Sequence, residues 1–393
     1  MDKPVFRGNL INGVTEAYSA ITLPAMPYEL QDFMERAHLE HGAECCIEIT
    51  DFTQFPFLRP YLEDASDLYA MNALAQKLAT MEPWQADAFE GLLLMEGNKA
   101  ETEDHSSLYD LAASTGECQV LYEVRTDEEL GRFYVENGFV KETEGIDEAL
   151  YALLDYRRIG EQMRRGEGGV FLREGIGYVT LGGELKEEFK TLDLTPVQPD
   201  YTVLLEVGQM DSGDSVMLKL PLSRRELEAV PDHFEARGWC DLTWRCADCR
   251  IPALRDFIST TDNIVFINFA AQQLDEIPEE QLKGCKALIA AMQPKDLTAA
   301  TALLEHMGEY IFSPQIDAPD TLARAELLER LGEHDAELIL PHVNLYAYGT
   351  RLMEENQQAL TAYGMIERSD YQTLLTPERQ FKAKQNGMEV MQM

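Results

Sequence analysis

Apolar and polar positions along the first fifty residues predict a hairpin, a helix and a strand. The hairpin turns at Asn12-Gly13, a dipeptide suited to positive φ at both central positions. A short helix around Tyr28 to Arg36 and a strand around Cys45 to Ile49 follow. The pattern then becomes helical, with Ser66 as the expected cap of a run spaced Leu68, Met71, Leu74, Ala75, Leu78, and Pro83 in the first turn of the next helix. Beyond residue 104 it mixes again. A strand is expected around Cys118 to Glu123. Thr126-Asp127-Glu128-Glu129 reads as a capping box opening a helix through Val135, followed by a helix around Asp155 to Met163 and short strands near Val170 and Tyr178.

The same order recurs in the second half. Pro56-Phe57-Leu58-Arg59, with Asn72, Ala75, Gln76, Leu78 and Leu92, aligns without a gap on Pro252-Ala253-Leu254-Arg255, Asn268, Ala271, Gln272, Leu274 and Leu288, at an offset of 196. Upstream, Leu23-Pro24 matches Leu220-Pro221 at 197; downstream, Gly116-Glu117 matches Gly308-Glu309 at 192, and Gly160 and Gly175 match Gly349 and Gly364 at 189. An offset that only shrinks fits small deletions in a second copy. The expected fold is α+β: a first copy over 1–192 (α+β over 1–55, helical over 56–100, α+β over 101–192), a linker over 193–199, a divergent second copy over 200–384 and a tail over 385–393. The second hairpin is expected to turn near Asp211-Ser212-Gly213.

Charge changes the picture more than composition does. The chain of 393 residues is 45% hydrophobic, enough to fill the cores of several domains, but its 33 basic and 70 acidic residues leave a net charge of −37. That sign disfavours direct binding to nucleic acid or to a membrane surface. Residues 1–150 hold 30 acids against 9 bases, and 101–150 alone hold 14 against 3, interleaved with Leu108, Leu111, Val120, Leu121, Leu130, Phe133, Tyr134 and Val135. Apolar anchors at that density mark a folded surface rather than an acidic tail. Salt adaptation would spread acids evenly, unlike this asymmetry. No apolar run approaches 18 residues, the first ten residues lack a signal pattern, and seven cysteines, two adjacent, suit reduced thiols; a cytoplasmic protein is expected.

Catalytic signals are thin. Gly166-x-Gly168-Gly169 and Gly175-x-Gly177 lack the register of a dinucleotide fingerprint and read as turns; there is no phosphate loop, zinc helix or nucleophile elbow, and His105-Ser106-Ser107 reads as a surface loop. Cys246-x-x-Cys249, with Cys240 and His233 upstream, has the spacing of a zinc clip, but the second pair is split by six residues, and free thiols are the preferred reading. No metal and no cofactor are expected.

The first copy resembles the ArdA antirestriction proteins of plasmids and conjugative transposons. The resemblance rests on Asp51 before the Asn72-containing helix, Thr126 through Glu136, Leu154-Asp155-Tyr156 with Gly160, and Gly168-Gly169-Val170-Phe171. The second copy keeps Asn268, Gly349 and Gly364 but lacks the Leu-Gly-Arg-Phe-Tyr pattern. The resemblance implies an elongated, multi-domain, non-enzymatic mimic of B-form DNA. Its carboxylates would stand where phosphates do, occupying the DNA groove in the DNA-binding subunits of type I restriction-modification enzymes. At one charge per about 1.7 Å of duplex axis, the net charge corresponds to roughly 60 Å of DNA. The expected phosphate stand-ins are Asp87, Glu90, Glu96, Glu101, Glu103, Asp104, Asp110, Glu123, Asp127, Glu128, Glu129, Glu136, Glu142, Glu144, Asp147 and Glu148. The resemblance also implies homodimer contact through the segment holding Leu130, Gly131, Phe133, Tyr134 and Val135, which equally suits a core helix; the assembly is a homodimer or an internal pseudo-dimer. Two other readings stand beside this one: an acidic adaptor or decoy for another basic DNA-binding protein of a mobile element, and a hydrolase with an unrecognised carboxylate pair.

Overall fold

The opening alternation becomes an antiparallel pair, β1 (Phe6–Asn12) and β2 (Tyr18–Leu23), in the computed structural model. The structure describes residues 4–39, 44–62, 64–97, 105–143, 145, 147–209, 215–260, 262–370 and 374. The connection is longer than the two-residue turn expected at Asn12-Gly13. Asn12 stays in β1, and its Oδ1 accepts the amides of Val14 at 2.9 Å and Thr15 at 3.2 Å; the positive φ falls on Glu16. The buried asparagine therefore wraps the turn with its own side chain. The expected turn at 211–213 lies outside the described residues.

The chain divides into two compact units, Met1–Ala25 with Gly42–Pro196, and Met26–His41 with Val197–Met393. After β2, helix α1 (Pro27–Arg36) belongs to the second unit. The first unit resumes with β3 (Cys45–Asp51) and β4 (Asp64–Ala65), completing an antiparallel sheet of order β2-β1-β3-β4. Three helices follow, α2 (Leu68–Ala79), α3 (Pro83–Glu96) and α4 (His105–Ala113). Asp67, not Ser66, caps α2, its carboxylate accepting the amides of Tyr69 and Ala70 at 2.9 and 3.0 Å. His105, Ser106 and Ser107, expected in a loop, form the first turn of α4, where the His105 ring packs on Phe189. Then come β5 (Cys118–Leu121), α5 (Asp127–Glu136), α6 (Glu148–Tyr151), α7 (Tyr156–Glu167), β6 (Val170–Phe171) and β7 (Tyr178–Leu181), the strands ordered β5-β7-β6.

The second unit has β8 (Val203–Gln209), β9 (Ser215–Leu220), α8 (Arg224–His233) and β10 (Leu242–Cys249), then α9 (Ile264–Asp275), α10 (Glu279–Met292) and α11 (Leu297–Glu305). It ends with β11 (Tyr310–Ser313), α12 (Pro319–Leu331), α13 (Glu333–Ile339), α14 (Leu345–Asn356), β12 (Ala359–Thr361) and β13 (Gly364–Arg368). Its sheets are β10-β8-β9 and β11-β13-β12, again antiparallel. The architecture is therefore mixed α+β with small antiparallel sheets. Apart from β4, the first unit's elements, with α1 included, recur in the same order in the second. Leu205, Val207, Leu254, Ile267 and Ala271 are among the residues that fill the main core of the second unit.

Two local devices occur in both units. Asn72 brackets the backbone of Ala25, accepting its amide at 2.7 Å and donating to its carbonyl at 3.1 Å; Asn268 does the same to Leu222 at 2.8 and 2.9 Å. Each ties the start of a helix to the residue just past a strand. The second device is a close helix crossing. A Cβ on Gly160 would lie 1.8 Å from the carbonyl oxygen of Asp127, and one on Gly349 would lie 1.7 Å from that of Pro319. Only glycine lets α7 approach α5, and α14 approach α12, this closely.

Each bracket satisfies two backbone groups that a side chain truncated at Cβ would leave without partners. Asn72→Ala is expected to cost about 2 kcal/mol in urea-induced unfolding. Gly160→Ala should destabilise by roughly 1–3 kcal/mol, because helix backbone must move to admit the methyl.

Candidate functional site

The acidic surface expected on the first unit is best built from α5 outward. Thr126 caps that helix, its Oγ1 accepting the Glu129 amide at 3.2 Å; the Glu129 carboxylate reaches past the cap to the Arg125 amide at 2.8 Å. This is a capping box displaced by one residue. The hydrogen bond donated by the Arg125 amide holds the Glu129 carboxyl below its usual range, so the group is charged at neutral pH. Glu123, Glu128, Glu129, Glu136, Glu142 and Asp147 are exposed. Glu128 faces Arg132 at 3.4 Å on its own helix, whereas Glu123, Glu136 and Glu142 have no ion-pair or hydrogen-bonding partner among the described residues.

Other expected stand-ins are engaged inside the unit. Asp127 forms a two-point pair with Arg164 at 2.7 and 3.3 Å, joining α5 to α7. Asp110 accepts the Phe189 amide at 2.8 Å, and Asp87 accepts the Tyr122 hydroxyl at 2.9 Å; burial, with the Asp87 carboxylate, pushes that hydroxyl up to about 12. Glu96 is half-buried. Glu90 corrects the expectation outright: it is only 9% exposed and faces Arg173 at 3.9 Å, so it presents no charge to a partner. Glu101, Glu103, Asp104 and Glu144 lie outside the described residues, and of Glu148 only the backbone, in α6, is described.

The segment expected at a dimer contact turns inward. Leu130 and Val135 are buried, and Gly131 sits in the α5–α7 crossing, where a Cβ would meet the Tyr156 carbonyl at 1.8 Å. Phe133 and Tyr134 are half-buried against the core formed by Val124, Leu130 and Tyr178, and the Tyr134 hydroxyl donates to Glu167 at 2.6 Å. Leu130 through Val135 is thus chiefly core. Sequence reasoning also passed over exposed acids in and beside the first sheet, Glu48 and Asp51 on β3 and Glu16 and Glu44 in the adjoining loops. The alternation Ile47-Glu48-Ile49 was the available signal, since a half-buried strand sends every second side chain to solvent.

Among the described residues no group of three or more His, Cys, Asp or Glu side chains is arranged to hold an ion. His233 packs on the Phe234 ring, Cys240 is exposed, and Cys246 and Cys249 are buried on β10. Burial pushes the Cys249 thiol up to about 12 and the Cys246 thiol higher still, keeping both protonated and poor as nucleophiles. Between them Asp248 is wholly buried, accepting the Tyr201 hydroxyl at 2.8 Å, the Tyr28 amide of α1 at 3.1 Å and the Cys249 amide at 3.0 Å. Loss of solvation outweighs these bonds and raises its carboxyl to about 6.

Two cavities open in the second unit. One of 610 Å³ lies between α8 and α9 over Leu227, Trp239, Val265 and Phe269; another of 590 Å³ is lined by Lys295, His306, Tyr310 and Arg368, among others. No helix of the described residues is long and apolar enough to cross a membrane. No protein-family model matches the chain, and comparison with curated proteins finds no match.

Because the folded chain holds the Asp248 proton more tightly than the unfolded chain does, this group adds stability at low pH that is lost as pH rises through about 6. Urea midpoints at pH 5 and pH 7.5 should therefore differ more in the natural chain than in Asp248→Asn, where that titration is gone.

Proposed function

We propose that the chain is a non-enzymatic antirestriction protein of the ArdA type, in which surface carboxylates of the first unit take the place of DNA phosphates in the DNA-binding subunits of type I restriction-modification enzymes. The observation that carries the reading is the set of exposed acids around α5: Glu123, Glu136 and Glu142 without partners, beside Glu128, Glu129 and Asp147. Carboxylates held on a folded surface and left unneutralised are what a Lys- and Arg-lined groove attracts. The sequence resemblance in Thr126 through Glu136 and around Asp155, Gly160 and Gly168 supports it.

The two units are read as tandem copies of one ancestral domain. Supporting that reading are the repeated element order, the paired Asn72 and Asn268 brackets, and the glycine crossings at Gly160 and Gly349. The first copy carries the mimicry, since it holds the larger excess of acids. A protein of this kind works in the cytoplasm of a cell receiving a mobile element, needs no metal or cofactor, and meets proteins rather than nucleic acid or membrane.

Mimicry of this kind is distributed, so no single carboxylate dominates. In a type I restriction assay with unmodified DNA, the protein should protect the substrate from cleavage. Replacing Glu142 alone by Gln should change protection less than twofold. Reversing Glu123, Glu128, Glu136, Glu142 and Asp147 together to Lys should abolish it, and full protection by that variant would remove the hypothesis. Capture of a different basic DNA-binding protein, with no protection from restriction, would favour the adaptor reading.

A further inference from the structure

Two exposed aromatic side chains of the first unit flank one carboxylate. Trp84 (40% exposed) lies in the first turn of α3, and Tyr122 (42% exposed) directly follows β5. Asp87 stands one turn beyond Trp84, at the spacing that puts two helical side chains on one face with about 5–6 Å between their Cβ atoms. From beside the sheet the Tyr122 hydroxyl donates to Asp87 Oδ2 at 2.9 Å. That bond fixes the second ring next to the carboxylate, and no other described residue bonds to Asp87, so Oδ1 is left open. The donor is a neutral phenol, and Asp87 has no ion-pair partner among the described residues. The Trp84 indole meets no other ring, no cation and no acceptor for its N–H among them.

Single exposed apolar side chains are ordinary. An indole, a braced phenol and an open carboxylate at one place are a set with a shared use, because the faces of aromatic rings attract cations and the carboxylate pairs with them. Arginine suits such a set better than lysine: its guanidinium is planar, stacks on a ring while its edge donates to a carboxylate, and gives up water more readily than an ammonium does. The next turn of α3 shows similar chemistry satisfied from within. Glu90 faces Arg173 at 3.9 Å, and that guanidinium also donates to the Tyr61 hydroxyl at 3.2 Å. The set is confined to the first unit. At the repeat offset of 196, Trp84 and Asp87 fall on Glu280 and Lys283, and at 192 Tyr122 falls on Pro314, so the second unit has neither ring and carries the opposite charge at the central position.

We propose that Trp84, Asp87 and Tyr122 form a socket for one arginine side chain of a basic protein partner, the guanidinium stacking on the indole and donating to Asp87 Oδ1. The inference takes its partner from the reading of the first unit as the face that a Lys- and Arg-lined groove grips. It adds selectivity to that reading. A carboxylate standing in for a phosphate takes either cation, whereas a ring beside it prefers the guanidinium, and tryptophan, tyrosine and arginine are the side chains that dominate binding energy at protein interfaces. Exposed Glu123, the next residue after Tyr122, adds a second unneutralised charge at the rim.

Fluorotryptophan labelling of the full chain tests it, because Trp84, Trp239 and Trp244 are its only tryptophans and the Trp84 fluorine signal is identified by its loss in Trp84→Phe. The probes are a glycine-spaced peptide carrying three arginines and the same peptide carrying three lysines. The Trp84 signal should shift saturably with the arginine peptide, at about fivefold lower concentration than with the lysine peptide, while the signals of Trp239 and Trp244 stay in place. Asp87→Asn, which keeps both rings, should weaken the arginine response at least threefold and bring the two peptides closer together. In the restriction assay Trp84→Ala should weaken protection about fivefold. An arginine-selective shift in a chain that gives no protection from restriction supports the socket and removes the antirestriction reading. Protection by the natural chain, with a Trp84 signal that ignores arginine or answers both peptides alike, overturns the socket and leaves that reading in place.

Discussion

Self-repulsion is the constraint under which this chain folds. With 37 more negative than positive charges, its few cations must be placed where each does the most. Many of them sit at joints between elements. Arg164 ties α7 to Asp127 of α5, and Arg173 meets the buried Glu90 of α3. In the second unit the buried Lys286 of α10 lies 3.3 Å from Asp32 and 2.8 Å from Glu35, both on α1, while Arg255 pairs with Glu29 of the same helix. Tyr363 adds a 2.8 Å bond to Asp32. Without these partners Glu29, Asp32 and Glu35 of α1 would repel one another. Buried pairs of this kind add little net stability, yet losing one partner is costly because it strands the other.

Uncharged devices carry much of the remaining order. The asparagine brackets and the glycine crossings satisfy backbone or remove side-chain volume without spending a cation. That economy leaves Glu123, Glu136 and Glu142 on the surface with no ion-pair partner among the described residues. The chemistry proposed for the first unit follows from where the arginines and lysines are used.

Much of the fold was legible because it is written in local signals. Pro83 opens α3, Thr126 caps α5 and Asp155 caps α7, and the repeat offset marked Asn72 and Asn268 before their shared role was visible. The misreadings share a cause. Asn12-Gly13 allows a tight turn, but the Asn12 side chain folds over a longer loop; Ser66 and Asp67 are both capping residues, and the carboxylate accepts two amides where a hydroxyl would serve less well. The site was less legible, because acidity says nothing about engagement. Glu90, Asp127 and Glu136 look alike in a charge count, and only packing shows that the first is buried, the second is paired and the third is open. Placement of α1 in the second unit had no local signal at all, since its partners there lie 173 or more residues away.

The central claim is that this surface competes with duplex DNA for one basic groove. Fluorescence anisotropy of a labelled recognition duplex bound to a type I specificity subunit tests it directly, with the protein titrated in at several salt concentrations. The account predicts full displacement of the duplex at a single stoichiometry, with an apparent affinity that falls steeply and linearly in log–log form as salt rises. Binding that leaves the duplex in place, or displacement indifferent to salt, would contradict it.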